Sequence, residues 1–295
     1  MSLRNIFRKG LINGSASLRL DELSLRLQHG SPDSPDPSVL VVEMHETMAR
    51  DADRLRRQLD WVTQHFSMIS PRQFFDFWQP DAPHGKNSKP SILFTFDDGR
   101  ASNYNVAVPI LESFGTRGMF FVVPEFIGLR GQTAREFYYS RIDIRNLPPS
   151  NDEEIWTPMS SEQLADLVRR GHEVGNHTLS HIQLTGLSDS DLRTQIISSA
   201  DKIAAWIGKQ PEAFAWPYAW DAISREAWEL ITSSHRFCFS PCPGIVRYKS
   251  DSPRLLWRTE IECYYDPSEY RFMYSGLGNP FWTSKRQQLR RMFIN

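Results

Sequence analysis

The sequence predicts an α/β fold, an irregular (β/α) barrel of roughly seven parallel strands, and three observations predict it. Short β-branched or aromatic runs alternate with segments whose apolar residues recur at helical spacing. About seven such runs can be counted, which favours closure into a barrel over an open doubly wound sheet. Polar or conformationally special residues stand at the ends of four runs, where parallel α/β sheets carry their chemistry.

The chain has 295 residues, 40% hydrophobic and 12% aromatic, enough to bury one barrel-sized core. A formal net charge of −1 gives no global attraction to nucleic acid, so no nucleic-acid partner is expected. Cys238, Cys242 and Cys263 are odd in number and lack metal-ligand spacing, which reads as reduced, structural thiols. The composition carries no signature of an oligomeric state.

Residues 1–37 read as an N-terminal arm and linker: a basic start broken by polar residues, then HGSPDSPDPS, rich in Pro, Ser and Asp. No secretory or transmembrane segment is expected, so the address is cytoplasmic. It becomes membrane-peripheral if the basic start or the C-terminal run SKRQQLRRMF lies on a lipid surface rather than forming a solvated helix face. Residues 38–295 read as the barrel with a C-terminal helical tail.

Within the barrel, a strand over 39–44 precedes a helix over 51–66, with Leu55, Leu59, Val62 and Phe66 on one face. SILFTF, a helical stretch through Val106 and Leu111, and GMFFVVP follow, then SSEQLADLVRR stopped by Gly171. After HEVGNH, one helix is expected from a cap at Ser188 or Asp189 to a stop at Gly208, its stripe being Leu192, Ile196, Ala200, Ile203 and Ile207. AFAWPY, SREAWELITSS, RFCFS and LLWRTEIE extend the alternation. Residues 129–158 break it, and an insertion there belongs to the functional rim.

Chemistry collects at the strand ends. SILFTF ends in Asp97-Asp98-Gly99, one carboxylate more than a metal site needs, so one can bind an ion while its neighbour handles protons. Gly99 lets the chain turn so that both converge. HEVGNH runs into His177 and His181, whose spacing of four suits one face of a helical turn and a shared ion. The first strand ends at His45, and AFAWPY ends at Pro217-Tyr218. The sequence has no G-x-S-x-G elbow, P-loop or H-E-x-x-H helix.

With FTFDDG, HTLSH and FAWPYAW in this order, the chain resembles the polysaccharide deacetylases of carbohydrate esterase family four, also called the NodB-homology family, over roughly 39–262. The resemblance implies a metal-dependent enzyme releasing acetate from an acetylated amino sugar or oligosaccharide. It assigns Asp97 as catalytic base, Asp98, His177 and His181 as metal ligands, and the Tyr218 amide as oxyanion donor. The expected ion is a divalent metal, zinc for two imidazoles and a carboxylate. Trp216, Tyr218 and Trp220 are open either to stacking on a sugar or to packing.

Two departures accompany the resemblance. The arginine that the family often carries before its proline motif is replaced by the region of Ala215 and Trp216, and no Leu-x-His follows, because no histidine comes after His235. VVEMH resembles the first strand of members whose barrel order is permuted, which makes His45 a candidate acid; the alternative is a histidine that caps a strand or packs beneath a loop. Two other functions stay open: a relative that binds metal or carbohydrate without turnover, and a hydrolase of another small amide.

Overall fold

The computed structural model describes residues 24–25, 37–79, 89–143 and 148–294. The expected arm and linker therefore lie outside the described residues, apart from Ser24, Leu25 and Pro37.

The strands are β1 (Ser38–Met44), β2 (Ser67–Met68), β3 (Ser91–Phe96), β4 (Met119–Val122), β5 (Glu173–Asn176), β6 (Ala213–Ala215), β7 (Phe237–Ser240), β8 (Val246–Arg247), β9 (Leu256–Trp257) and β10 (Thr259–Glu260). They form one sheet in the order β10-β1-β3-β4-β5-β6-β7-β9, and every neighbour pair on that path is parallel. β2 adds to β3 and β8 runs antiparallel to β1. β9 and β10 sit at opposite ends of the order, yet only Arg258 separates them in the chain. The last strand thus pairs with β7 through its first half and with β1 through its second, and its backbone bridges the barrel's seam. Counted as one bent strand it gives about seven staves, the number expected from the sequence.

Side-chain alternation divides the interior from the helix-covered exterior. Leu40, Val42 and Met44 of β1 pack with Ile92, Phe94 and Phe96 of β3 in one core, while Val39, Val41 and Leu93 join a second core with Met119 and Phe121. That second row continues along the same strands to Glu43, Thr95 and Asp97, all buried. The barrel interior is therefore apolar at its base and charged at its mouth.

Helices Ala52–His65 and Ser161–Arg169 fall where periodicity placed them. A reciprocal Ser160–Gln163 capping box opens the second of these. The expected single helix after His181 is instead Asp189–Arg193, a π-helical turn over Thr194–Ser198, and Ser199–Ile207 ending at left-handed Gly208. The interruption has a cause in side-chain bonding. Asn176 donates to the Ile196 carbonyl at 2.9 Å and accepts from the Ser199 hydroxyl at 2.7 Å, so an interior amide takes up a carbonyl that a regular helix would pair internally.

The C-terminal run forms helix Thr283–Phe293, with Leu289 and Phe293 buried in the second core and Arg290 bonded to Asp251 at 2.6 Å. Its apolar face is committed to the barrel. The three cysteines are buried and free, and burial pushes each thiol up, which makes them inert packing groups. Among the described residues no helix is long and apolar enough to cross a membrane.

Candidate functional site

Asp97 and Asp98 follow the last residue of β3, and the chain must leave the strand there without running into β4. Asp98 has φ 74° and Gly99 φ 84°. A Cβ at Gly99 would lie 2.8 Å from Ile127 Cδ1 and 3.2 Å from Val122, so glycine is required by both conformation and space. Two consecutive left-handed residues undo strand alternation, and both carboxylates end up at the barrel mouth. Non-glycine residues with positive φ among those described are Asp98, Thr178, His181 and Tyr218, and all four stand in the three motifs. Strain of this kind persists where surrounding structure fixes the backbone.

His177 and His181 converge, but the expected helical turn is absent. HTLSH is an irregular loop after β5 in which Thr178 (φ 66°) and His181 (φ 54°) reverse the chain. Strand β5 ends at Asn176 and the loop needs no helical hydrogen bonds, because the Leu179 amide bonds to the Gln195 carbonyl instead. Their ring centroids are 5.1 Å apart.

Each imidazole directs Nδ1–H to a backbone carbonyl: His177 to Ala215 at 2.8 Å and His181 to Arg141 at 2.7 Å. That fixes the tautomer with the lone pair on Nε2. His181 Nε2 lies 3.5 Å and His177 Nε2 lies 3.9 Å from Asp98 Oδ1. Burial holds both imidazoles down at about 4, so these contacts are donor atoms facing one another rather than ion pairs. Burial also pushes the Asp98 carboxyl up, a cost that a divalent cation would offset. The three donor atoms lie within 4.8 Å of one another, and the set fits a small divalent ion held by nitrogen and oxygen.

Asp97 is held differently. Arg258 Nη1 donates to its Oδ1 at 2.6 Å and Nη2 to its Oδ2 at 2.9 Å, both side chains being fully buried. Burial opposes ionisation of Asp97, but the Arg258 charge, then His177 and the Arg258 hydrogen bonds, hold it down at about 2. A guanidinium, missing from the region of Ala215 and Trp216, thus reaches Asp97 from the seam of the barrel, where Arg258 lies over the Phe121 ring at 5.2 Å. Arg258 directly follows the apolar run Leu255-Leu256-Trp257 and is buried with it, and a buried arginine needs a partner, but which one is set only when the barrel closes.

His45 follows β1. Its Nδ1–H donates to Glu262 Oε1 at 2.8 Å, and the same carboxylate accepts the backbone amides of His45 and Glu46. Burial opposes charging of His45, yet the Glu262 hydrogen bond and charge raise it well above the ordinary histidine value. Glu43, His45 and Asp97 also offer atoms within 4.8 Å of one another. Glu262 was not expected from the sequence, because its relation to His45 arises only when β10 pairs with β1.

Tyr218 has φ 68°, and its hydroxyl lies 2.9 Å and 2.7 Å from the carbonyls of Arg141 and His181, so the ring is anchored on the HTLSH loop. Trp216 is fully buried with Nε1 donating to the Ala219 carbonyl, which excludes it from stacking on a ligand. Trp220 is partly buried beneath Lys285, whose Nζ lies 4.3 Å from the ring centroid. The described residues of the 129–158 insertion form short helices around Val123, Phe126, Ala134, Tyr138, Ile142 and Trp156, and they include the Arg141 carbonyl that orients His181.

Carboxylates and imidazoles converging at the carboxyl ends of parallel strands define the class of an α/β barrel with its candidate site at the barrel mouth. Residues 84–233, half of the chain, match the family profile described as polysaccharide deacetylase, and the chain belongs to that family. It is 29% identical over 146 residues to a peptidoglycan-N-acetylglucosamine deacetylase of Bacillus cereus, covering 48% of this chain and 54% of that protein. It is 22% identical over 132 residues to YxkH of Bacillus subtilis, covering 45% of this chain and 38% of that one. The chain thus spans about half or less of the length of these curated relatives. The fold is shared with IcaB of Ammonifex degensii, with a TM-score of 0.60 at 17% identity over 80% of this chain and 97% of that one.

Proposed function

We propose that the chain is a metal-dependent hydrolase that removes N-acetyl groups from an amino sugar or oligosaccharide and releases acetate. The observation that carries this reading is the division of labour between adjacent carboxylates: Asp98 faces two neutral Nε2 atoms, while Asp97 is clamped by Arg258. Asp98, His177 and His181 would hold the ion, zinc for this donor set. Bound there, it would act as a Lewis acid toward the acetyl oxygen and make a neighbouring water more acidic. Asp97, fixed by Arg258, takes the proton of the attacking water. The Tyr218 amide donates to the oxygen that gains negative charge. His45, kept cationic by Glu262, gives its proton to the departing amine nitrogen. A cytoplasmic, membrane-peripheral place of action is part of the same proposal.

The reading is tested by incubating the full chain with N-acetylated amino sugars and oligosaccharides, with zinc, cobalt or manganese, and measuring acetate. Acetate release that requires added metal and is abolished by chelator is expected. A metal-loaded, folded protein that releases none from any of them contradicts the proposal.

A further inference from the structure

Glu43 takes no part in the chemistry described above, although it is the charged member of the inward row of β1. Its side chain is buried between the two reactive groups. Oε2 has no hydrogen-bond partner and lies 3.5 Å from Arg258 Nη2, while Oε1 lies 3.6 Å from His45 Nε2. A second metal centre at Glu43, His45 and Asp97 is not indicated, because the Arg258 guanidinium already supplies the cation there and bonds Asp97 at 2.6 Å.

The separation from His45 is informative. At 3.6 Å the carboxylate is too far to accept a hydrogen bond from Nε2–H, yet close enough for strong charge–charge attraction in a buried site. Glu262 saturates the other nitrogen. The His45 side chain keeps 31% exposure, so its Nε2 edge stays open toward the mouth. A group placed in this way strengthens the hold of the ring on its proton without capturing it.

We propose that Glu43 is a positioning residue for His45: its carboxylate flanks the imidazolium opposite Glu262, ties it through Arg258 to the Asp97 side of the site, and keeps the Nε2 proton in place until an amine takes it. The groups facing His45 are Glu262, Glu43, Asp97, Asp98 and His181. Those facing Glu43 are Arg258, Asp97, His45 and Glu260. Burial lifts Glu43 to about 7 against the pull of Arg258. Its negative charge therefore develops as pH rises through neutrality, where a histidine would otherwise lose its proton.

This inference rests on the deacetylase reading for its purpose, but its test does not. In the full chain reconstituted with zinc, the ring resonances of His45, assigned with His45→Gln, are titrated in the parent and in Glu43→Gln. Removing a facing anion lowers the His45 midpoint by about one pH unit. The alkaline limb of kcat on an N-acetylated oligosaccharide moves to lower pH by the same amount, with KM unchanged. Glu43→Asp, which keeps the charge but withdraws it by one methylene, shifts both by less in the same direction, and it serves as the test variant if Glu43→Gln does not fold. An unmoved His45 midpoint in the folded variant overturns the proposal, whatever its effect on rate. A lowered midpoint in a protein that releases no acetate upholds the role of Glu43 and removes the deacetylase reading instead.

Discussion

Two kinds of imidazole share the barrel mouth. His177 and His181 turn Nδ1–H to the carbonyls of Ala215 and Arg141, stay neutral down to about 4, and present bare Nε2 atoms to Asp98. His45 turns Nδ1–H to the Glu262 carboxylate and is held cationic, with a proton on Nε2. The partner at Nδ1 therefore decides what Nε2 offers: a lone pair for a metal in one case, a proton in the other. Two further buried histidines make the same point. His172 accepts the Gly118 amide on Nδ1 and faces Glu112 with Nε2, and His235 accepts from Asn176 on Nε2. Both are also held down at about 4 by burial, yet neither leaves a bare nitrogen converging with a second imidazole: His172 Nε2 carries the proton and turns it to Glu112, and His235 Nε2 is taken by Asn176. A depressed histidine is thus not in itself a site; a convergent free Nε2 is.

The comparison can be broken most severely at the neighbouring carboxylate. Asp97→Asn keeps the two neutral imidazoles and Asp98 but removes the proton acceptor, so kcat falls by about 10²–10⁴-fold while bound metal stays at the parent level. Steady-state rates beside metal analysis check this; a rate within a few-fold of the parent removes Asp97 as base.

A smaller effect follows from giving His45 the kind of partner that the other two have. Glu262→Gln replaces a charged acceptor by a neutral one and lowers the proton affinity of His45. The acid must be protonated to act, so the rate is lost at lower pH, and the alkaline limb of kcat moves down by about one pH unit or more. A pH–rate profile with that limb in place contradicts the assignment.

The smallest effect belongs to the structural pair. The unfolded chain binds protons at these histidines near the ordinary value of 6.5, whereas folded His172 and His235 resist until about 4. The unfolded state therefore holds more protons in between, and stability drains as pH falls from about 6.5 to 4. His235→Gln removes one such group and makes the melting temperature less sensitive to pH across that window, with metal content unchanged. A slope equal to the parent's shows that His235 does not drive the acid loss.

The fold was legible because its signals are local: alternating strand and helix patterns, the Ser188 cap and the Gly208 stop survive in the structure. Asp97, Asp98, His177, His181 and Tyr218 were legible as residues at strand ends, and their convergence was expected by the wrong means for HTLSH, since left-handed Thr178 and His181 replace a helical turn. Three features were hidden because they exist only after closure. Arg258 reaches Asp97 across the seam, Glu262 reaches His45 through β1–β10 pairing, and the Ala215 and Arg141 carbonyls are backbone atoms that no residue identity encodes. Side chains announce which chemistry a site contains; the partner that sets each protonation state depends on topology.

The most direct test of this account is the metal content of the dialysed full chain as Asp98→Asn, beside Asp97→Asn and the parent, each after loading with zinc. About one zinc per chain is expected in the parent and in Asp97→Asn, and loss of nearly all of it from Asp98→Asn, because Asp98 lies within 4 Å of both bare Nε2 atoms, whereas Asp97 approaches that of His177 at 3.6 Å and is clamped by Arg258. Equal retention in all three proteins, or loss in Asp97→Asn with retention in Asp98→Asn, would contradict it.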